Sequence, residues 1–201
     1  MTEAISDSVT MASRIGAALS SKLSNYRRLH GLTFDQLAAR SGVSKGMLVQ
    51  IEQKKANPSI GVLCRIAAAL SISMVDLVAG PDPGQDARKG ILEPGPGVRL
   101  WSSPAGGFAV LETGTRGADM FELWSWRLMP GDVFHAPAHG RGTTELIKVD
   151  RGTLSITVGA EVTHVKRGQS LTFLSDQAHS YACLGSRPTV FTMAVWEPRA
   201  S

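Results

Sequence analysis

Cysteine is almost missing from this chain: Cys64 and Cys183 are the two among 201 residues. A disulfide framework is therefore excluded as the source of stability, and two reduced, buried thiols, as in a cytoplasmic protein, are the expectation. No apolar run approaches the ~20 residues needed to span a bilayer, and the N-terminus lacks a basic-then-apolar leader pattern. Neither membrane insertion nor secretion is expected. Aromatic residues are scarce before position 100, where Tyr26 and Phe34 stand against ten later ones. Acidic residues are scarce there too. Through Gly80 five Asp+Glu face nine Lys+Arg, a net of +4, whereas twelve of each balance from Pro81 onward. An excess of positive charge confined to one segment points to a polyanionic partner for that segment alone.

The first eighty residues carry the period of helices. In LTFDQLAARSGVSKGMLVQIEQKKANPS, Leu32 to Ser59, apolar residues recur at helical spacing (Leu32, Leu37, Ala38, Val43, Leu48, Ile51) and break at Ser41-Gly42. Two short helices around a tight turn are predicted. Thr33, with Gln36 three residues on, caps the first helix and Ser44 the second, while Gly42 supplies the left-handed residue that ends the first. With Val43, Leu48 and Ile51 facing inward, Ser44, Lys45, Gly46, Gln50 and Lys54 are left on the outer face of the second helix. Those side chains suit a DNA major groove: lysine donates to guanine, glutamine pairs with adenine, and Gly46 allows close approach. Lys55 and the Asn57 backbone are placed to grip phosphate, and Thr33 belongs to the same DNA-facing set.

The run SGVSKGMLVQIEQKKANPSIGVLCRIAAALSISMVDLVAG resembles the Cro/repressor-type (XRE) helix-turn-helix family, in particular its branch with a cupin domain behind it. The likeness runs from about Ile15 to Gly80. It implies five helices, with the third in the major groove. Phe34 departs from the pattern where relatives often carry a phosphate-touching glutamine, and Lys54 where they usually carry glycine.

In chain order, residues 1–10 are expected to be disordered and 11–80 to form the helical domain. That domain is expected to hold a first helix from Met11 to His30, a fourth from Ser59 to Leu70 and a short fifth from Ser73 to Val78. GPDPGQDARKGILEPGPG, with four prolines and five glycines, makes residues 81–98 a linker. Beyond it the period is two. Phe108–Leu111, Met120–Met129, Glu145–Val149, Leu154–Val158, Val162–Lys166, Leu171–Leu174, His179–Cys183 and Val190–Trp196 read as strands, with a turn at Gly159-Ala160. Residues 99–201 are thus expected to be an all-β sandwich or double-sheet jelly roll.

This half resembles the cupin family, through Gly131, His139, Glu145 and Gly152 and then Gly168 and His179. Pro137 stands at the position of the family's first histidine, and Leu174 and Asp176 replace its usual proline and glycine. The resemblance implies a divalent transition metal (zinc, iron, manganese or nickel) held by His139, Glu145 and His179; His135, four residues before His139 across Pro137, stands as a replacement third nitrogen. Without metal, the same residues form a hydrogen-bonded polar cluster in an effector pocket. His135, Tyr181, Trp124 and Trp126 are the further pocket candidates, although each aromatic also reads as sheet core. His164, beside Lys166 and Arg167, reads as solvated.

The expected protein is a cytoplasmic, dimeric, sequence-specific regulator that binds operator DNA and senses a small molecule, not an enzyme. A cupin isomerase or dioxygenase, and a β-domain used for dimerisation alone, are the rival readings.

Overall fold

Alternating helix caps and left-handed turns divide the first unit into short helices. The computed structural model describes residues 16, 19–78, 96–115 and 120–198. Residues 1–10, the head of the expected first helix and most of the expected linker lie outside these. The chain separates into two compact units, Met1–Gly95 and Pro96–Ser201.

In the first unit a helix covers residues 19–29 (α1), followed by α2 (Phe34–Ser41), α3 (Lys45–Glu52), α4 (Ile60–Leu70) and α5 (Met74–Val78). The expected caps are in place. Thr33 Oγ1 accepts from the Gln36 N–H at 3.2 Å while Gln36 Oε1 accepts from the Thr33 N–H at 2.9 Å. Ser44 and Ser59 accept from the Met47 and Val62 amides. Each bond satisfies an amide that a helix start leaves orphaned. Gly42 takes φ 64 and donates to the Ala38 carbonyl, closing α2. At α5, Ser73 and Asp76 reproduce the reciprocal cap: the Ser73 amide donates to Asp76 Oδ2, and the Asp76 amide to Ser73 Oγ. The inward faces of all five helices meet in one core, with Leu23, Leu37, Leu48, Ile66 and Leu77 fully buried.

Among its described residues the second unit holds ten strands: β1 (Val98–Ser102), β2 (Phe108–Gly114), β3 (Met120–Leu128), β4 (Val133–Ala136), β5 (Thr144–Arg151), β6 (Thr153–Val158), β7 (Glu161–Lys166), β8 (Ser170–Leu174), β9 (His179–Cys183) and β10 (Thr189–Glu197). They form a six-stranded sheet in the order β1-β2-β3-β10-β5-β8 and a four-stranded sheet in the order β4-β9-β6-β7. Every pairing is antiparallel. The eight expected strands are all present; β1 and β4 were not anticipated. β4 has four residues, too few for alternation to show, and β1 directly follows the Pro/Gly run.

Period-two alternation puts Trp124, Trp126 and Leu128 of β3 and Phe191, Met193 and Val195 of β10 into the interior. Trp126 stacks on Phe191 with centroids 5.7 Å apart and planes 6° apart, and Phe134 lies parallel to Tyr181 at 6.2 Å. This aromatic layer between the sheets is the floor on which the polar residues of the barrel sit.

Candidate functional site

On the helix-turn-helix, the residues expected to face DNA are all solvent-exposed: Thr33, Ser44, Lys45, Gly46, Gln50, Lys54, Lys55 and Asn57. Beneath them Val43, Leu48 and Ile51 are buried, which fixes which face of α3 looks outward. Lys45 Nζ lies 2.9 Å from Asp35 Oδ2 across the turn. That pair is well exposed, so it holds the lysine only weakly.

What pins α3 is a contact the sequence did not reveal. Arg27 of α1 reaches Glu52 at the end of α3 with two bonds, Nε to Oε1 at 2.7 Å and Nη2 to Oε2 at 3.0 Å, and gives a third to the Leu32 carbonyl at 3.1 Å. The Phe34 ring packs under the guanidinium, 4.1 Å from its centre. Phe34, at the position where a phosphate-touching glutamine was the pattern, thus serves as a platform for Arg27. Lys54 adopts φ 60, a left-handed conformation that explains why glycine is the usual residue there.

In the β-unit, His139, Glu145 and His179 converge, with a ligand atom from each lying within 4.8 Å of the others. Glu145 enters from β5 and is 1% exposed. Its Oε1 lies 3.4 Å from His139 Nε2 and 3.3 Å from His179 Nε2, and its Oε2 accepts from the Tyr181 hydroxyl. Burial pushes the Glu145 carboxyl up, but the two histidines outweigh it and hold its pKa at about 2. Burial likewise pushes His139 down, and the Glu145 bond and charge reverse this, leaving its pKa raised.

The loop before β5 is longer than the cupin pattern, yet His139 is still delivered. Its amide donates to the Ser175 carbonyl at 3.0 Å and the Ser175 amide donates to the Thr143 carbonyl at 2.9 Å, so the loop is braced by the one following β8. His179 Nδ1 lies 2.8 Å from the Gln177 carbonyl. A carbonyl only accepts, so Nδ1 carries a proton, and Nε2 is the nitrogen turned toward the cluster. That Nε2 is buried and makes no aligned hydrogen bond.

A buried imidazole with one nitrogen fixed by a carbonyl and the other unsatisfied, beside a second imidazole and an ionised carboxylate, fits the donor set of a divalent metal. Two further acids stand near. Glu197 has its pKa raised by burial, against the pull of His139, and Glu122 accepts from Trp124 Nε1 at 2.9 Å. Neither was singled out in the sequence, because both lie far in the chain from the histidines.

Not all expectations hold. His135 lies on the exposed face of β4, whose neighbouring residues Phe134 and Ala136 turn inward. It cannot act as a third nitrogen or line the pocket. Tyr181, Trp124 and Trp126 are inside the barrel; Tyr181 touches Glu145, whereas Trp126 is embedded in the aromatic layer. His164 is exposed on β7, as expected.

A capped helix-turn-helix ahead of a double-sheet barrel with a His/Glu cluster is the architecture of the helix-turn-helix transcriptional regulators that carry a cupin domain. The chain belongs to them: the helix-turn-helix family (HTH_3) matches residues 23–77 and the cupin domain (Cupin_2) residues 124–196. It is accordingly a DNA-binding transcriptional regulator.

Over nearly its whole length it is similar to the HTH-type transcriptional regulator SutR of Escherichia coli (strain K12), with 26% identity over 182 residues, 90% of this chain and 96% of that protein. The uncharacterized HTH-type regulator y4dJ of Sinorhizobium fredii is 39% identical over 62 residues, 31% of this chain and 80% of that one. Among solved structures, an HTH_3 family transcriptional regulator from Vibrio cholerae superposes with a TM-score of 0.68 at 28% identity, covering 95% of this chain and 99% of that one. No helix among the described residues is long and apolar enough to cross a membrane.

Proposed function

We propose that this regulator reads operator DNA through the outer face of α3 and senses a small molecule at the His139–Glu145–His179 cluster, acting as a cytoplasmic homodimer. The DNA-binding domain occupies 11–80 and the sensor domain 99–201. Gln50 and Lys45 read bases, Ser44 and Gly46 allow close approach, and Thr33, Lys54, Lys55 and Asn57 hold the backbone.

The observation that carries the sensing role is the unsatisfied, buried His179 Nε2 beside the Glu145 carboxylate. A polar group left unpaired in a protein interior costs about 1–3 kcal/mol, a cost removed when a ligand or a metal completes the site. A zinc, iron, manganese or nickel ion would be held by His139, Glu145 and His179 and would supply a Lewis-acid centre for an oxygen-bearing effector. The chain's own contribution is orientation: the Gln177 carbonyl sets the His179 ring, Tyr181 sets Glu145, and the aromatic layer excludes water.

Dimerisation is supported by the outer face of the six-stranded sheet. There Phe121 (54% exposed), Leu123, Leu146, Leu174 (57%) and Trp196 are exposed together. Phe121 stands opposite Trp196 across the strand pair, and Leu123 and Leu146 flank Ala194. A patch of this kind is characteristic of protein interfaces.

Elemental analysis of untagged protein, beside a His139→Ala/His179→Ala double variant, tests the site. Close to one metal per chain, lost in the variant, makes it a metal-centred sensor; no metal in either leaves the β-unit as a sensor of an organic ligand or as a dimerisation module. The double variant should keep the operator affinity of unliganded wild type. A variant that remains folded yet loses that affinity would overturn the sensor assignment.

A further inference from the structure

We propose that the β-unit carries a second binding site, an anion cleft outside the barrel interior, which takes a small organic anion bearing two or more phosphate or carboxylate groups. Arg127, Arg151, Arg167 and Arg187 together line a concavity of about 650 Å³, with Asp150 the single carboxylate in its lining. Four cations against one anion leave the cleft at +3, in a stretch of chain whose Lys+Arg and Asp+Glu balance at twelve each when the cleft is included. Asp150 is already engaged, with Lys148 Nζ at 4.0 Å and the Thr192 hydroxyl at 3.3 Å. Among the described residues, no carboxylate lies within ion-pair distance of any of the four guanidinium groups. Arginines that share the lining of one cleft repel one another through their like charges, and the planar forks of their guanidinium groups suit phosphate and carboxylate oxygens two at a time.

The arginines are set on a braced frame. Val190 of β10 has Arg127 of β3 opposite it on one side and Arg151 of β5 on the other, so two of the four rise from the two strands that flank β10 in one sheet. Gly152, at φ 74, lies so close to the next segment that a Cβ would come within 2.8 Å of Thr189 Oγ1 and 2.9 Å of the Pro188 carbonyl. The turn after Arg151 is therefore seated directly on the segment that carries Arg187. The Arg167 amide donates to the Gly152 carbonyl at 3.1 Å, tying in the turn between β7 and β8.

The cleft is not the cupin site. Glu145 lies six residues before Arg151 on β5, about 20 Å at the ~3.4 Å rise of a strand. A concave site ringed by turns suits a small anion better than a duplex, whose backbone needs an extended surface.

Calorimetric titration of the full-length protein with inorganic tripolyphosphate and with citrate tests the proposal, and the tighter of the two identifies the anion class. Arg151→Gln/Arg167→Gln should weaken that binding by about tenfold or more. Arg141→Gln, the same kind of charge change beyond the other end of β5, should leave it unaltered. Failure of both probes to bind overturns the proposal, as does equal weakening by the Arg141 variant, which would mean that net charge alone is felt. A double variant that loses operator affinity in anion-free buffer also overturns it, because the cleft would then be gripping DNA phosphates.

Discussion

Glu145 is where burial and two imidazoles pull in opposite directions, and the outcome has a pH signature in metal-free protein. Its carboxyl is held at about 2 against an ordinary 4.5, so its stabilisation is complete above the ordinary value and is lost as pH falls from about 4.5 toward 2. His139 is raised above its ordinary 6.5, so its share is complete below that value and is lost as pH climbs through the raised one. Thermal unfolding followed by tryptophan fluorescence should therefore show this cluster contributing most between about pH 4.5 and 6.5. His139→Ala should flatten the alkaline limb; an unchanged limb would remove His139 from the balance. On the DNA side, Gln50→Ala should lower discrimination at one operator base pair by about 1–3 kcal/mol if both amide groups engage one adenine, read from affinities for a set of single-base operator variants.

At this scale the sequence was informative where chemistry and spacing coincide. His139, Glu145 and His179 were legible, and they meet. His135 was misplaced because four residues of β4 do not declare which face is which. The Gln177 carbonyl that orients His179 left no trace in the sequence, since every residue has one.

Helix endings are the informative feature among the elements. α1, α3 and α4 close alike: the amide just after a left-handed residue returns to a carbonyl in the last turn, as Leu32 to Arg27, Lys55 to Gln50 and Ile72 to Ala67. Each closure needs a left-handed residue, supplied by Gly31, Lys54 and Ser71 at φ 62, 60 and 54. Only the first is a glycine. Lys54→Gly should therefore stabilise the helical unit by about 1 kcal/mol, measured by urea unfolding, while making operator binding less salt-dependent if Lys54 holds phosphate.

The Arg27–Glu52 pair works the other way. Both side chains are about one-eighth exposed, at 13% and 12%, and charged hydrogen bonds of this kind are worth about 1.5–3 kcal/mol. Glu52→Ala should cost about that much stability, and a cycle with Arg27→Met should assign most of it to the pair. The caps were visible in advance because they are local. This pair joins residues 25 apart and depends on the packing of α1 against α3, which no local pattern encodes.

For the molecule as a whole, affinity depends on how many recognition helices act together. One helix-turn-helix makes few base contacts, and operators bound by two-fold dimers place half-sites about 34 Å apart, or a multiple of that distance. Phe121→Lys/Leu146→Lys, which charges the exposed sheet face, should shift sedimentation equilibrium to monomer and lower operator affinity steeply, with non-specific DNA binding nearly unchanged. Persistent dimers would place the interface elsewhere. The two-domain plan was legible because composition, charge and hydrophobic period all change near the Pro/Gly run. The order of strands within the sheets was not, because cross-strand partners far apart in the chain leave no periodic mark.

Sheet order also bears on how the protein is made. β10, the last strand in chain order, lies between β3 and β5 and pairs with both along most of its length. Until it emerges from the ribosome, β1-β2-β3 and β5-β8 are separate fragments, each with an open edge and apolar side chains in water. The helical unit, whose described helices end at Val78, is built from local contacts and can fold while the rest is still being synthesised. Each nascent chain therefore passes through a stage in which a finished DNA reader trails an unclosed barrel, and that interval is when the protein is most exposed to proteases and to chaperones.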